Sequence, residues 1–341
     1  MFRHWAWQVR SRTQIILESQ ISWMVLALVA LSFSMALALS IGSVPVRLSD
    51  LWASLVEPDH GLHAVVWNVR FPRILCALAV GSSLSVAGAL LQTSVRNPLA
   101  DPGILGVTAG AGVAALIVLL IFPGQMIWLP AAGFLGGLIT TGITLGLSWS
   151  RTHDPGPLRM ILSGVALQAL LAAVIALLTF IFADRAPSFA AFVIGSLNGL
   201  GWGDVQIVFW PTFVGFILAM ILIRPLNLLM LEDTAAAGLG LAVRRTRFLA
   251  SCVAALLAAG AVSVAGLIGF VGLVVPNGLR LLIGPEHKFL LPFSAVGGAI
   301  LVVVADLVAR TALAPLELPV GALLALIGGP YFLYILWAKL P

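Results

Sequence analysis

The sequence predicts an all-α polytopic membrane protein of about ten transmembrane helices, with the N-terminus and C-terminus both cytoplasmic. Three observations lead there. Hydrophobic residues fill 61% of the 341 positions and charged residues only 9%, with mean hydropathy +1.11, whereas soluble domains carry about 25% charged residues. Apolar runs of membrane length, roughly 20 residues, recur from end to end. Arg and Lys, 18 in all, are skewed between alternate connections. With the N-terminus inside, all but Arg47, Arg70, Arg73, Arg185 and Arg310 fall on inner segments, as the positive-inside rule requires.

The elements follow in order. The run at about 21–41 is too long for a signal-peptide core and lacks a small-x-small cleavage site, so it reads as a retained helix after a cytoplasmic arm, 1–20. The second run, 73–94, opens on Arg70-Phe71-Pro72-Arg73 and closes on Arg96-Asn97-Pro98-Leu99-Ala100-Asp101-Pro102. An isolated anchor has no need of either motif. Runs at 104–122, 127–149, 159–182 and 204–224 follow, the last with Asp204 at a favourable helix N-terminus. The next apolar stretch is nearly continuous. It is split at its glycines into 247–265 and 267–283, partly so that the connections alternate sides. Runs at 289–310 and 319–338 complete the set, so that 21–341 forms a single membrane domain. Many of the 34 glycines lie inside the spans, among them Gly81, Gly88 and Gly298, where small residues let helices approach closely. The repeated Ser-Val-Ala-Gly at 85–88 and 263–266 fits an internal duplication, and fits chance equally well in so Ala- and Gly-rich a chain.

The residue types exclude several chemistries. The charge of +5 belongs to inner loops, not to a nucleic-acid surface. Cys76 and Cys252 both sit in apolar runs and read as small buried hydrophobes. Only two lysines occur, Lys288 and Lys339, and neither stands in a Gly-x-x-x-x-Gly-Lys-Ser/Thr context. The chain therefore carries no such ATP site of its own. A gradient-driven secondary carrier would place ionisable groups near the bilayer midplane, and the spans are nearly clean of them. All five histidines lie in tails or loops, so no intramembrane His ligand is expected. Asp306 and Arg310, four apart, read as an ion pair on one helix face. No catalytic residue, metal ligand or resident cofactor is assigned.

The motifs then carry a resemblance over the second span to the end. They are Arg70–Arg73, Gly88–Gln92, Arg96–Pro102 with Leu105-Gly106, Leu162–Leu167 and Gly195–Leu197, then Ala235–Gly240 with Arg244-Arg245 and Gly269–Pro276. Arg280, Gly284–His287, Ala305-Asp306 with Ala309-Arg310 and Glu317–Gly321 complete them. Together and in order they resemble the FecCD-type permeases of ABC importers for ferric siderophores, haem and cobalamin. One departure is Asn277, where the family commonly has His.

The resemblance implies a type II importer fold of ten helices in the inner membrane. It implies a second permease subunit, identical or homologous, two ABC ATPase subunits that use ATP and Mg, and a periplasmic or lipid-anchored substrate-binding protein. Ferric siderophore is the expected cargo, then haem, then cobalamin. Arg70, Arg73 and Arg310 would form an outer basic patch for the binding protein. The inner segment with Glu232, Asp233, Ala235, Gly238, Leu239 and Gly240 would be the coupling helix for the ATPase. Asn97, Pro98 and Leu99 would contribute to an inner gate, a hydrophobic constriction at Leu99 being able to exclude water. The proline turn His153–Pro157 would be a second inner turn, and Phe189–Leu197 an outer re-entrant helix for which Asn198 is an alternative C-terminal cap.

Overall fold

The computed structural model describes residues 2–42, 46–57, 61–122, 126–148, 157–183 and 192–339, with side chains from Gln20 onward except at 48, 49, 55, 126, 157, 335, 336, 338 and 339. Arg151, Arg185, all of His153–Pro157 except the backbone of Pro157, and residues 189–191 lie outside them.

Thirteen named helices order the description. They are α1 (Phe2–Ser40), α2 (Leu48–Val56), α3 (His63–Val95), α4 (Val107–Ile121), α5 (Leu129–Ser148), α6 (Pro157–Ile181) and α7 (Trp202–Ile221). Then come α8 (Ile223–Leu229), α9 (Asp233–Gly238), α10 (Val243–Ala265), α11 (Val271–Ile283), α12 (His287–Thr311) and α13 (Val320–Lys339). Among the described residues seven are long and apolar enough to cross a membrane, and α4, α11 and α13 are shorter apolar helices. These ten stand where the sequence runs predict them. α1 runs unbroken from Phe2 through residue 20 to Ser40.

Helices α3 and α10 form the centre. In each, 78% of the most apolar window is buried, against 11% in α1 and 6% in α6. α3 packs on α12, α10, α7 and α11, and α10 packs also on α5 and α7. Glycine makes these contacts possible. A Cβ on Gly88 would fall 1.9 Å from the Gly272 carbonyl oxygen, and one on Gly81 would fall 2.2 Å from that of Gly298. Backbone therefore lies directly on backbone, the packing that lipid favours.

The predicted division between the seventh and eighth runs is real. α10 stops at Ala265, Gly266 takes φ +69, and Phe270, with φ +67, opens α11. Backbone at membrane depth must find internal partners, and here it does. Leu267 N donates to the Phe192 carbonyl, Ser196 N to Ala265 and Gly321 N to Gly195. Residues 192–194 are helical and Gly195, at φ +81, ends that turn. Asn198 does not cap it; its N–H bonds Ser196 Oγ at 3.1 Å.

At the N-terminal end of α3 an aromatic group gathers Trp67, Phe71 and Trp202, with the Trp rings 5.0 Å apart. Trp202 Nε1 donates to the Trp67 carbonyl, an arrangement suited to the headgroup level of a bilayer. Asp204, as expected, works at the start of α7, where its carboxylate accepts from Gly201 N at 2.9 Å.

The glycine contacts set a stability test. Gly88→Ala should cost about 1–3 kcal/mol through overpacking, read as a lower unfolding midpoint in detergent. Gly142→Ala, where a Cβ meets nothing within 4 Å, should leave the midpoint unchanged or raised. Equal behaviour of the two would show that the α3–α11 approach tolerates a side chain.

Candidate functional site

Two polar nodes lie at opposite ends of α3. Arg73 and Arg96 are 23 residues apart, about 35 Å at the helical rise.

At the first node Arg73 forks onto Asp306, with Nη2 at 2.8 Å and Nε 3.1 Å from each carboxylate oxygen, while Nη1 reaches Glu317 at 2.9 Å. Planar, bidentate pairing of this kind is what a guanidinium does best. The expected partner of Asp306 was Arg310 on its own helix. That pair is loose, with Nε 3.9 Å from Oδ2. Instead Arg310 donates through Nη2 to the Ala38 carbonyl, and Arg70 donates to the carbonyls of Leu39, at 2.6 Å, and Ser40. The three arginines are only 4%, 7% and 9% exposed for Arg70, Arg73 and Arg310. The sequence expectation was a basic patch open to a partner. In the described chain these side chains are turned inward, because α1 offers the carbonyls at its end and Asp306 is a buried anion that demands a cation. They tie α1, α3 and α12 together at this rim, and Glu317, the more exposed member, is the charge nearest the surface.

The second node holds the inner residues predicted to couple and to gate. Asp233 opens α9 and accepts from both Arg96, at the C-terminal end of α3, and Arg247, in the first turns of α10. Arg96 also donates to the carbonyls of Leu229, at 3.1 Å, and Leu231. Arg247 Nε bonds the Ser94 carbonyl at 2.9 Å. α9 is thus fastened to both central helices while its other side stays open. Glu232, Ala235, Gly238, Leu239 and Gly240 are exposed, Leu239 by 63%, and only Ala236 is buried. Leu239, the most exposed of the large apolar side chains here, with Met230 and Leu231 also exposed, stands out from a firmly held segment and can enter a cleft on another protein.

The turn after α3 is built from its own side chains. Arg96 adopts the left-handed conformation that stops the helix. Asn97 Oδ1 then accepts from Leu99 N, and Asp101 Oδ1 from Gly103 N, each at 2.9 Å. Burial raises the Asp101 carboxyl above the usual carboxylate range, with the Gly103 N–H opposing it. Pro98 is exposed and Leu99 half-buried. A cleft of about 220 Å³ lies beside the turn, lined by Gln92, Thr93, Arg96, Pro98, Met230 and Arg280.

Sequence reasoning missed several residues here. His287 looked like a loop histidine. It is fully buried, with Nε2 2.8 Å from Thr93 Oγ1 and Nδ1 2.7 Å from Asn227 Oδ1. Gln168 is exposed midway along α6, where an amide facing lipid would be costly; its position in the middle of an apolar run was the available signal.

The comparisons with known proteins agree with this arrangement. Residues 29–338 match the FecCD transport family. The Fe(3+)-citrate import system permease protein YfmE of Bacillus subtilis is 36% identical over 92% of this chain and 93% of its own. The hemin transport system permease protein HmuU of Yersinia pestis is 38% identical over 93% of this chain and 94% of its own. A solved structure, an inward-facing conformation of a metal-chelate type ABC transporter, superposes with TM-score 0.83 at 31% identity, covering 93% of this chain and 99% of that one.

The first node yields a prediction. Arg73→Ala leaves Asp306 buried without its main partner and should cost about 3–5 kcal/mol, read as the unfolding midpoint in detergent. Arg73→Ala with Asp306→Ala should cost clearly less than the two single changes added together. Simple additivity would mean that the pair is not coupled.

The chain belongs to the FecCD transport family and is a transport permease subunit of an ABC importer, not an enzyme.

Proposed function

We propose that this permease carries a ferric siderophore or related metal chelate across the bacterial inner membrane, N-terminus and C-terminus inside, driven by separate ATPase subunits. The observation that carries the coupling part is the Asp233 node. α9 presents Leu239 outward, and Asp233 is held by Arg96 of the α3 end and Arg247 of α10. A push on α9 from an ATPase closing on ATP therefore reaches both central helices without crossing a flexible joint. The Asn97–Leu99 turn, hung from the same end of α3, is the natural inner gate.

A second permease subunit would complete the pathway against α6. That helix is the least buried of the long helices, and it exposes Gln168 at mid-depth, where water or cargo would satisfy the amide. A periplasmic or lipid-anchored binding protein would dock at the opposite end. There Arg70, Arg73 and Arg310 would act by holding the shape of the rim and setting its charge through Glu317, more than by direct pairing. The choice of cargo leans on the relatives, one named for iron citrate and another for hemin. Haem is therefore the second reading, with cobalamin, from the family resemblance, third.

Two measurements test this. The purified chain should hydrolyse no ATP alone, and Leu239→Glu should lower both ATPase co-purification and transport while leaving membrane insertion unchanged. Full co-purification by that variant would remove α9 from the docking surface. Uptake of labelled ferric siderophore, haem and cobalamin by the reconstituted complex should favour the siderophore. Preference for haem or cobalamin would replace that cargo and leave the permease role in place.

A further inference from the structure

The turn at 97–101 is stiff internally, with Ala100 buried in the core. Its hydrogen bonds stay within the turn or reach back along the chain to α3, where Asn97 N donates to the Gln92 carbonyl, apart from one. Asn97 Oδ1 takes Leu99 N, the Asn97 carbonyl takes Ala100 N, and Asp101 takes Gly103 N and Ile104 N. Among the described residues, the hydrogen bond that joins these five to another helix is Asn277 Nδ2 of α11 to the Pro98 carbonyl, at 2.6 Å.

That bond sits at the end of a chain whose every amide orientation is forced. Arg280 has donors only. Its Nη1 faces Asn277 Oδ1 at 3.2 Å and also bonds Gln92 Oε1. With both side-chain oxygens facing the guanidinium, both NH2 groups must point away from it. Gln92 Nε2 accordingly donates to the Gly272 carbonyl at 3.0 Å, and Asn277 Nδ2 to Pro98 and to its own Leu273 carbonyl at 3.0 Å. One end of the chain, at Gln92, is anchored where α3 and α11 touch backbone to backbone at Gly88 and Gly272; the other is the Pro98 carbonyl. Among the described residues no carboxylate lies within ion-pair distance of Arg280. Neutral amides are thus its fixed partners, and no competing anion turns it away from them.

We propose that Gln92, Arg280 and Asn277 form a latch that positions the inner gate turn, with the Asn277–Pro98 hydrogen bond as its catch. It rests on the reading of Asn97–Leu99 as the gate. Gln92 and Arg280 orient Asn277, and Asn277 holds the turn in the position it has in this structure. When α3 and α11 move relative to one another the catch is the hydrogen bond of the turn that strains, together with the Gln92–Gly272 and Arg280–Gln92 bonds that feed it, because the other bonds of the turn travel with α3. The 220 Å³ cleft beside it gives water access to the freed carbonyl.

Asn277→Asp is the sharp test. It keeps size and shape, and its oxygens can still accept from Arg280, but it has no N–H for Pro98. Asn277→His restores a donor. A spin label is placed on Leu99→Cys in a Cys252→Ser background, in the intact transporter with its ATPase in nanodiscs. The mobile spectral fraction and the ATP hydrolysed per chelate transported should both rise severalfold, up to roughly tenfold for one lost hydrogen bond, in Asn277→Asp. Both should return toward wild type in Asn277→His. An unchanged unfolding midpoint would show that the fold is kept. Wild-type mobility and coupling in Asn277→Asp overturns the latch. If the label in the wild-type protein reads the same with and without ATP plus vanadate, the gate assignment fails instead, independently of what Asn277 does.

Discussion

The close approach of α3 to its neighbours is the constraint on which the rest of the structure depends. Lipid offers helices no hydrophobic gain for meeting one another, so association rests on packing. At Gly81 against Gly298 and Gly88 against Gly272 that packing is backbone on backbone. The consequence is mechanical. A helix gripped at both levels by α12 and α11 cannot bend locally, so it moves as a rod. Along it, about 35 Å apart, sit Arg73 and Arg96, which carry the two polar nodes. Whatever shifts the Asp233 end must tilt or slide α3 as a whole, and the Arg73 end follows.

The ionic nodes suit such a rod. A buried ion pair adds little net stability, since desolvation offsets most of the Coulombic gain, but leaving one member unpaired is severe. Asp306 in its buried site therefore fixes register more than it adds stability: only the arrangement that brings Arg73 to it is tolerated. At the other end Asp233 is half-exposed and shared by two arginines, so its pairs are cheaper to rearrange. The rigid node and the adjustable node thus lie at opposite ends of one helix. Only the adjustable one borders the turn and the surface helix that would have to move.

How much of this was legible in the sequence follows from what kind of interaction each feature uses. The ten apolar helices were legible because membrane thickness and composition are local properties of a run. The break at Gly266 was legible because glycine marks backbone that leaves the helix. The inward turn of Arg70, Arg73 and Arg310 was not. Their partners are carbonyls at the end of α1 and carboxylates more than two hundred positions away, and nothing in the local pattern distinguishes a guanidinium bound for a buried anion from one bound for solvent. His287 escaped for the same reason. It follows a Gly-Pro-Glu turn, and only the packing of α12 on α3 and α8 encloses it with Thr93 and Asn227. The segment at 232–240 stood out by its motif, but the sharing of Asp233 between Arg96 and Arg247 needed the fold.

The α10–α11 break shows why the inner end can switch while the core stays packed. Coupling between distant sites needs an element with two discrete arrangements. A helix pair joined by an unwound segment is such an element when the backbone groups at the joint already have partners outside it. Here Leu267 N donates to the Phe192 carbonyl and Ser196 N to the Ala265 carbonyl, while the start of α13 holds Gly195, so the joint between α10 and α11 is fastened from outside the helix pair. Phe270 opens α11 in a backbone region that bulky side chains rarely occupy, against Gly328 of α13. Strain of this sort persists only where the surroundings over-determine it, and it lies about two turns from Asn277 and nearly three from Arg280. One short helix therefore has a strained residue at its start and, seven residues on at its middle, the side chain that meets the 97–101 turn. A rotation at the first is felt as a displacement at the second.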